Sequence, residues 1–213
     1  MTNFVNDELE VLRPFGPTIA KVKMPQDLID KLNEYTESVL SDQNKQDELN
    51  YGNKLAGNVK QEFIIEKDIM EKIGWGKFLA EGVSEWVFKT NNRKITKFNI
   101  INSWIVRQFQ NEYNPIHHHS GHVSGVGYLK VPENLGNISE RKKNNDKGRL
   151  TLIHGSVNLF SKATYVIKPV VGDFYLFPNY LLHTVYPFTD TNEERRSISF
   201  NANLDRDSAS YNN

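Results

Sequence analysis

Asn114-Pro115-Ile116-His117-His118-His119-Ser120-Gly121-His122 runs directly into Val123-Ser124-Gly125-Val126-Gly127-Tyr128-Leu129-Lys130-Val131. Four of the chain's six histidines fall in the first stretch, and the second reads as a β-strand. If the histidine segment ends a strand, residues two apart share a face. His117 and His119 then aim at one point, and His118 turns away. Two imidazoles on one side of a rigid strand form a chelating pair, suited to iron, nickel, copper or zinc. A solvated histidine loop is the plain alternative. An affinity tag would not sit internally between Pro115 and an apolar strand.

Working outward, the period-two pattern begins near Lys97. Phe98, Ile100, Asn102 and Trp104 alternate with Asn99, Ile101, Ser103 and Ile105, as in a strand covered on both faces. Further strands are expected over 123–131, 149–153, 164–170, 173–177 and 195–201. Turn residues separate them, as in Val171-Gly172-Asp173 and the loop 132–148. Short, evenly spaced strands after a helical preface point to a β-sandwich or jelly roll with helices on one face.

The preface is read in the same way. Thr18 to Lys23 alternates like a strand. Pro25 opens a helix in which Leu28, Leu32, Tyr35 and Val39 recur every three or four residues, with Asp27 in the first turn. A second helix is expected from about Lys67 to Phe88, and the polar stretch Ser41 to Gly57 between them as loop. The organisation expected is one domain, 1–213. In it, 1–96 form a helical scaffold with edge strands, 97–204 the β core, and 205–213 a frayed polar tail. Trp75, Trp86 and the helical face around them suit either the core or a homodimer interface.

Bulk composition narrows the function classes. Lys+Arg and Asp+Glu are both 26 in 213 residues, so zero net charge gives no electrostatic case for nucleic acid or an anionic membrane. Arg141-Lys142-Lys143 is one local exception. No apolar run approaches the roughly 20 residues that span a bilayer, and the first residues lack a signal-peptide profile. Cysteine is absent, which excludes disulfides and thiolate chemistry and fits a cytoplasmic location. Any metal is therefore held by histidine and carboxylate.

A third ligand must come from elsewhere, and His183 is the best candidate. It lies in an apolar neighbourhood just after a strand and a Pro178-Asn179 turn. Alone it reads more readily as a core histidine satisfied by hydrogen bonds; beside His117 and His119 it reads as a ligand. Alternation in Arg195-Arg196-Ser197-Ile198-Ser199-Phe200-Asn201 puts Arg195, Ser197, Ser199 and Asn201 on one face. Such a face makes poor core, because buried polar groups need partners. It makes good sense as the wall of an anion site, since a guanidinium binds a carboxylate bidentately. The other reading leaves that face in solvent and turns Ile198 and Phe200 inward.

Taken in order, these motifs resemble a known family. His-x-His, Ser-Gly-Val-x-Tyr-Leu-Lys-x-Pro, Gly-Asp-x-x-x-Phe-Pro-x-x-x-x-His-x-Val-x-Pro and Arg-x-Ser-x-Ser-Phe-Asn resemble the iron(II)/2-oxoglutarate-dependent dioxygenases, closest to the prolyl-hydroxylase-like branch. The likeness covers roughly residues 98–203. It implies a double-stranded β-helix (jelly roll, cupin-like) and an iron(II) site formed by His117, His119 and His183. It also implies 2-oxoglutarate held through its distal carboxylate by Arg195 and Tyr128. Asn201 and Ser199, on the same wall, are expected to bind the cosubstrate too, Asn201 at its other end, and Asn102 and Trp104 on a preceding strand to line the pocket, Asn102 as a further cosubstrate contact. The implied reaction takes dioxygen, converts 2-oxoglutarate to succinate and carbon dioxide, and hydroxylates a protein side chain or small molecule. One position departs from the pattern: the family's second ligand is usually a carboxylate, and here it is His119. Three-histidine iron sites occur in cupin-type dioxygenases, and His118 and His122 stay open as second-ligand alternatives.

Two rivals remain at this level. A cupin-like metal enzyme without 2-oxoglutarate would keep the histidines and give Arg195 no special work. A non-catalytic jelly-roll binding module would use neither. Substrate choice would fall to the loops 43–60 and 135–147 at the mouth of the roll.

Overall fold

The structure, a computed structural model, describes residues 9–12, 16–136, 146–159 and 161–205. The elements run β1 (Glu10–Leu12), β2 (Ile19–Lys23), α1 (Gln26–Leu40), α2 (Gln43–Leu49), β3 (Gln61–Ile64), α3 (Lys67–Ile73), α4 (Trp75–Asn91) and β4 (Phe98–Gln108). They continue with β5 (Asn114–His117), β6 (Val123–Lys130), β7 (Leu150–Ile153), β8 (Thr164–Ile167), β9 (Asp173–Pro178), β10 (Leu182–Val185) and β11 (Arg195–Leu204). The strands form two antiparallel sheets, a larger one ordered β1-β2-β9-β6-β11-β4-β3 and a smaller one ordered β5-β10-β7-β8. This is the double-stranded β-helix, with α1, α3 and α4 laid against the outer face of the larger sheet.

Period-two alternation explains how one sheet serves two cores. On β9, Phe174 and Leu176 turn outward to meet Leu28 and Leu32 of α1 and Trp75, Phe78 and Val83 of α4. Tyr175 and Phe177 turn inward to meet Leu150, Leu152, Ile167 and Val185 of the smaller sheet. Each such fully buried large side chain contributes about 1.5–3 kcal/mol by leaving water, so both layers are well supplied. Gly127 of β6 pairs with Phe174 of β9 and makes room for that ring on the helix side of the same sheet. A Cβ there would lie 2.3 Å from Phe174 Cδ2.

The same alternation decides β11. Ile198 and Phe200 belong to the helix-side core, while Arg195 is only 1% exposed on the inner side. The solvent-facing reading of the Arg195 face is thereby excluded. Arg196, on the helix side, donates to Asn33 (3.0 Å) and Glu37 (2.8 Å) of α1, tying that helix to the sheet.

Several expectations need correction. The helix expected over 67–88 is two helices, because Gly74 takes a left-handed φ of 83° that ends α3 and starts α4. An apolar period that continues through the glycine conceals the break. The stretch 41–57 is not all loop: Asp42 caps α2 by accepting from the backbone N–H groups of Asn44 (3.0 Å) and Lys45 (3.4 Å). Only Leu49 of α2 is buried, so no apolar stripe announces it. The strand expected to reach Val170 stops at Ile167. Asp205 is engaged rather than frayed, accepting from Thr96 N (3.0 Å) and Lys97 N (3.1 Å); 206–213 lie outside the described residues, as does the Arg141-Lys142-Lys143 run. Trp75 and Trp86 are core, with indole N–H bonds to Ser103 and Thr18. Among the described residues, no helix is long and apolar enough to cross a membrane.

Candidate metal centre and anion pocket

His117 closes β5 and faces His183 of β10 directly across the ladder. His119 lies two residues past the end of β5, where Asn179 holds it. The His119 N–H donates to the Asn179 carbonyl (3.1 Å), and Asn179 Nδ2 donates back to the His119 carbonyl (2.9 Å). The Pro178-Asn179 turn thus positions two histidines at once, His183 through the strand it starts and His119 through this clamp. Asn179 was not singled out from the sequence, where it reads only as a turn residue.

One nitrogen from each of His117, His119 and His183 lies within 4.8 Å of the other two. His119 Nε2 and His183 Nε2 are 3.1 Å apart. His117 Nδ1 is 2.7 Å from the Pro115 carbonyl and His183 Nδ1 is 2.9 Å from the Leu181 carbonyl. A carbonyl can only accept, so each Nδ1 carries the proton and each Nε2 keeps its lone pair. Burial, aided by repulsion from the neighbouring histidines, pushes His119 down to about 3 and His183 to about 4. Burial also lowers His117. Two imidazoles that present Nε2 lone pairs, with the His119 ring nitrogen 3.1 Å from one of them, are a neutral donor set that fits a divalent metal. Trp104 and Phe177 stand against this group, with ring centroids 5.6 Å from His119 and 5.1 Å from His183.

The alternatives for the second ligand fall elsewhere. His118 is exposed, and His122 Nδ1 accepts from the Leu204 N–H (2.9 Å). Neither joins the group.

The histidines open onto a cavity whose wall includes Trp104, Val126, Arg195, Ser197 and Ser199. Arg195 Nη1 donates to Gln108 Oε1 (3.1 Å) and Ser197 Oγ (3.4 Å), but Nε and Nη2 have no partner. No acidic side chain pairs with it among the described residues. Burial pushes this guanidinium below its ordinary range. Tyr128 lies beneath it, the ring centroid 5.0 Å from Cζ, and the fully buried phenol oxygen also lacks a partner. A buried cation and a buried hydroxyl, both unsatisfied and adjacent, fit the carboxylate of a small anion.

Asn201 and Asn102 sit differently. Neither is among the residues lining the cavity. Asn201 Nδ2 donates to Asn102 Oδ1 (2.9 Å), Asn201 Oδ1 accepts from Ser124 Oγ (2.7 Å), and Asn102 Nδ2 donates to Tyr51 Oη (3.0 Å). They form a polar seam from Ser124 through Asn201 and Asn102 to Tyr51. Gln108, which orients Arg195, and Glu62, which lines the cavity, are further residues not singled out from the sequence.

Residues 102–201 match the model of the family described as "Putative 2OG-Fe(II) oxygenase". That stretch of the chain is similar to the 2OG-Fe(II) oxygenases. The match takes in all three clustered histidines, Tyr128 and Arg195. The fold agrees. A Pseudomonas putida prolyl-4-hydroxylase superposes with a TM-score of 0.53 at 16% identity, covering 86% of this chain and 91% of its own. The viral collagen prolyl hydroxylase of Paramecium Bursaria Chlorella virus-1, solved with 2OG, gives 0.52 at 14% identity, covering 86% and 94%. The alpha-ketoglutarate-dependent epimerase SnoN of nogalamycin biosynthesis gives 0.55 at 13%, covering 85% and 76%. At such identities these oxygenase neighbours speak for the fold alone. No curated protein matches the chain significantly in sequence.

Proposed function

We propose that this protein couples oxidative decarboxylation of 2-oxoglutarate to hydroxylation of a substrate brought to the mouth of the roll. His117, His119 and His183 serve as the iron(II) ligands, and Arg195 with Tyr128 binds the distal carboxylate. The observation that carries this reading is Arg195, a buried guanidinium with two nitrogens unpaired, on the wall of the same cavity as three neutral imidazoles. Iron(II) with bound 2-oxoglutarate supplies the oxidising power from dioxygen, leaving succinate and carbon dioxide.

The chain's own residues do the rest. The Pro115 and Leu181 carbonyls fix the tautomers of His117 and His183, so both present Nε2. Gln108 and Ser197 hold one edge of Arg195 and leave the other for the carboxylate. Trp104 and Phe177 exclude water around the histidines. His119 stands where a carboxylate is usual, so the ligand set carries no negative charge, and the anion in the Arg195 pocket matters more to charge balance. Anaerobic titration with iron(II) and then 2-oxoglutarate tests the reading. A weak visible charge-transfer band is expected, and it should be absent from both His183→Ala and Arg195→Ala. Iron binding without the band would favour a cupin-like enzyme that does not use 2-oxoglutarate.

A further inference from the structure

Glu62, on β3, is 1% exposed and lines the cavity shared by the histidines and Arg195. It is the only acidic side chain among the described residues that line it. Its Oε2 has no hydrogen-bond partner. Two of its neighbours are acceptors, the Asn114 amide oxygen and the Glu112 carboxylate. A Cβ placed on Gly57 would lie 3.4 Å from Glu62 Oε1 and 2.2 Å from Asn114 Oδ1, so the acid and the amide oxygen flank the same glycine. Asn114 also lines the cavity, three residues before His117. Glu112 adds a second carboxylate nearby, held by the backbone N–H groups of Lys60 (3.4 Å) and Phe109 (2.9 Å).

A buried carboxyl with an empty acceptor site is costly unless a donor arrives. Arg195 belongs to the anion pocket and forms no ion pair with Glu62, and the Lys54 ammonium stands exposed at the rim over the Tyr51 ring. The Glu62 acceptor is left open to a donor that arrives with a ligand. We propose that Glu62, with the Asn114 amide oxygen, binds a positively charged nitrogen of the substrate, an ammonium or guanidinium group, and so selects basic substrates for the oxidation. Burial, helped by repulsion from Glu112, lifts the Glu62 carboxyl to about 7, so a cation entering the cavity also draws it into its charged form.

This assignment rests on the oxygenase reading for its role but not for its test. Matched probes are the acetylated amides of arginine and lysine against those of citrulline and norleucine, which lack the charge. Binding is measured by calorimetry on the metal-free protein and on the anaerobic protein loaded with iron(II) and 2-oxoglutarate. The cationic member of each pair is expected to bind about tenfold or more tighter, the scale of one charged hydrogen bond. Glu62→Gln, nearly isosteric, should bring each pair within about twofold. Equal binding of charged and neutral probes to the wild type, or a preference that survives in Glu62→Gln, would overturn the proposal. A wild type that shows the preference but takes up no 2-oxoglutarate would overturn the oxygenase reading and leave the cation site standing.

Discussion

His183 sits directly opposite His117 in the β5–β10 ladder, with ring centroids 4.2 Å apart. Cross-strand pairing, not sequence proximity, brings the distal histidine to the chelating pair, so the two side chains are held by sheet hydrogen bonds rather than by a loop. His183→Ala is expected to abolish high-affinity iron(II) binding. His118→Ala, removing an exposed ring outside the group, should leave it unchanged. Equilibrium dialysis with iron(II) checks both, and loss of binding in His118→Ala would redraw the ligand set.

The Asn179 clamp leads to a second expectation. Its side-chain amide donates to the His119 carbonyl, so Asn179→Ala leaves every proposed ligand in place and removes one of the two bonds of the clamp, keeping the one to the Asn179 backbone carbonyl. Groups that orient ligands typically contribute 10–100-fold to metal affinity, and a loss of about that size is expected. An affinity within twofold of wild type would show that the β5 register and the remaining backbone bond fix His119 without the side-chain amide.

These two residues also show how far the sequence could be read. Period-two alternation was enough to put Arg195 and Ile198 on opposite faces of β11, but not to say whether the Arg195 face met the cavity or solvent, which the layering of the roll decides. His117 and His119 were legible by the same alternation. Asn179 was not, since its work depends on where His119 lies in space. Glu62 was hidden too: β3 is four residues long, and its cavity-facing acid looks like any polar strand position. Asn201 follows the alternation yet meets Asn102 across the β11–β4 pair, a partnership that register decides and pattern does not.

The cavity's buried groups give the metal-free protein two opposed pH dependences. An unfolded chain protonates its histidines near pH 6.5, whereas in the fold His119 and His183 resist until about 3 and about 4. Between those limits the unfolded state binds more protons, so stability falls as pH is lowered from 6.5. Glu62 acts the other way. Its carboxyl is raised from 4.5 to about 7, so the folded state binds more protons in that window and its contribution falls as pH rises. Glu62→Gln is therefore expected to stabilise the metal-free protein by up to about 3 kcal/mol above pH 7 and by nothing below about 4.5. Urea midpoints across this range measure the difference, and a Glu62→Gln effect independent of pH would contradict the assigned shift.

Arg195 poses a trade between stability and binding. Its guanidinium is buried with Nε and Nη2 unpaired and no acidic partner among the described residues, a charge the fold carries at a cost. Methionine has similar length and no charge. Arg195→Met is expected to raise the stability of the metal-free protein by about 1–3 kcal/mol, the range seen when buried charges give way to well-packed apolar groups. The same substitution should remove the thermal stabilisation that 2-oxoglutarate gives the metal-loaded wild type, because a ligand stabilises only the state it binds. Melting curves with and without 2-oxoglutarate separate the two effects. Were Arg195→Met less stable than wild type and still responsive to 2-oxoglutarate, the bonds to Gln108 and Ser197 would be the reason the arginine is there, and the anion pocket would have to be sought elsewhere in the roll.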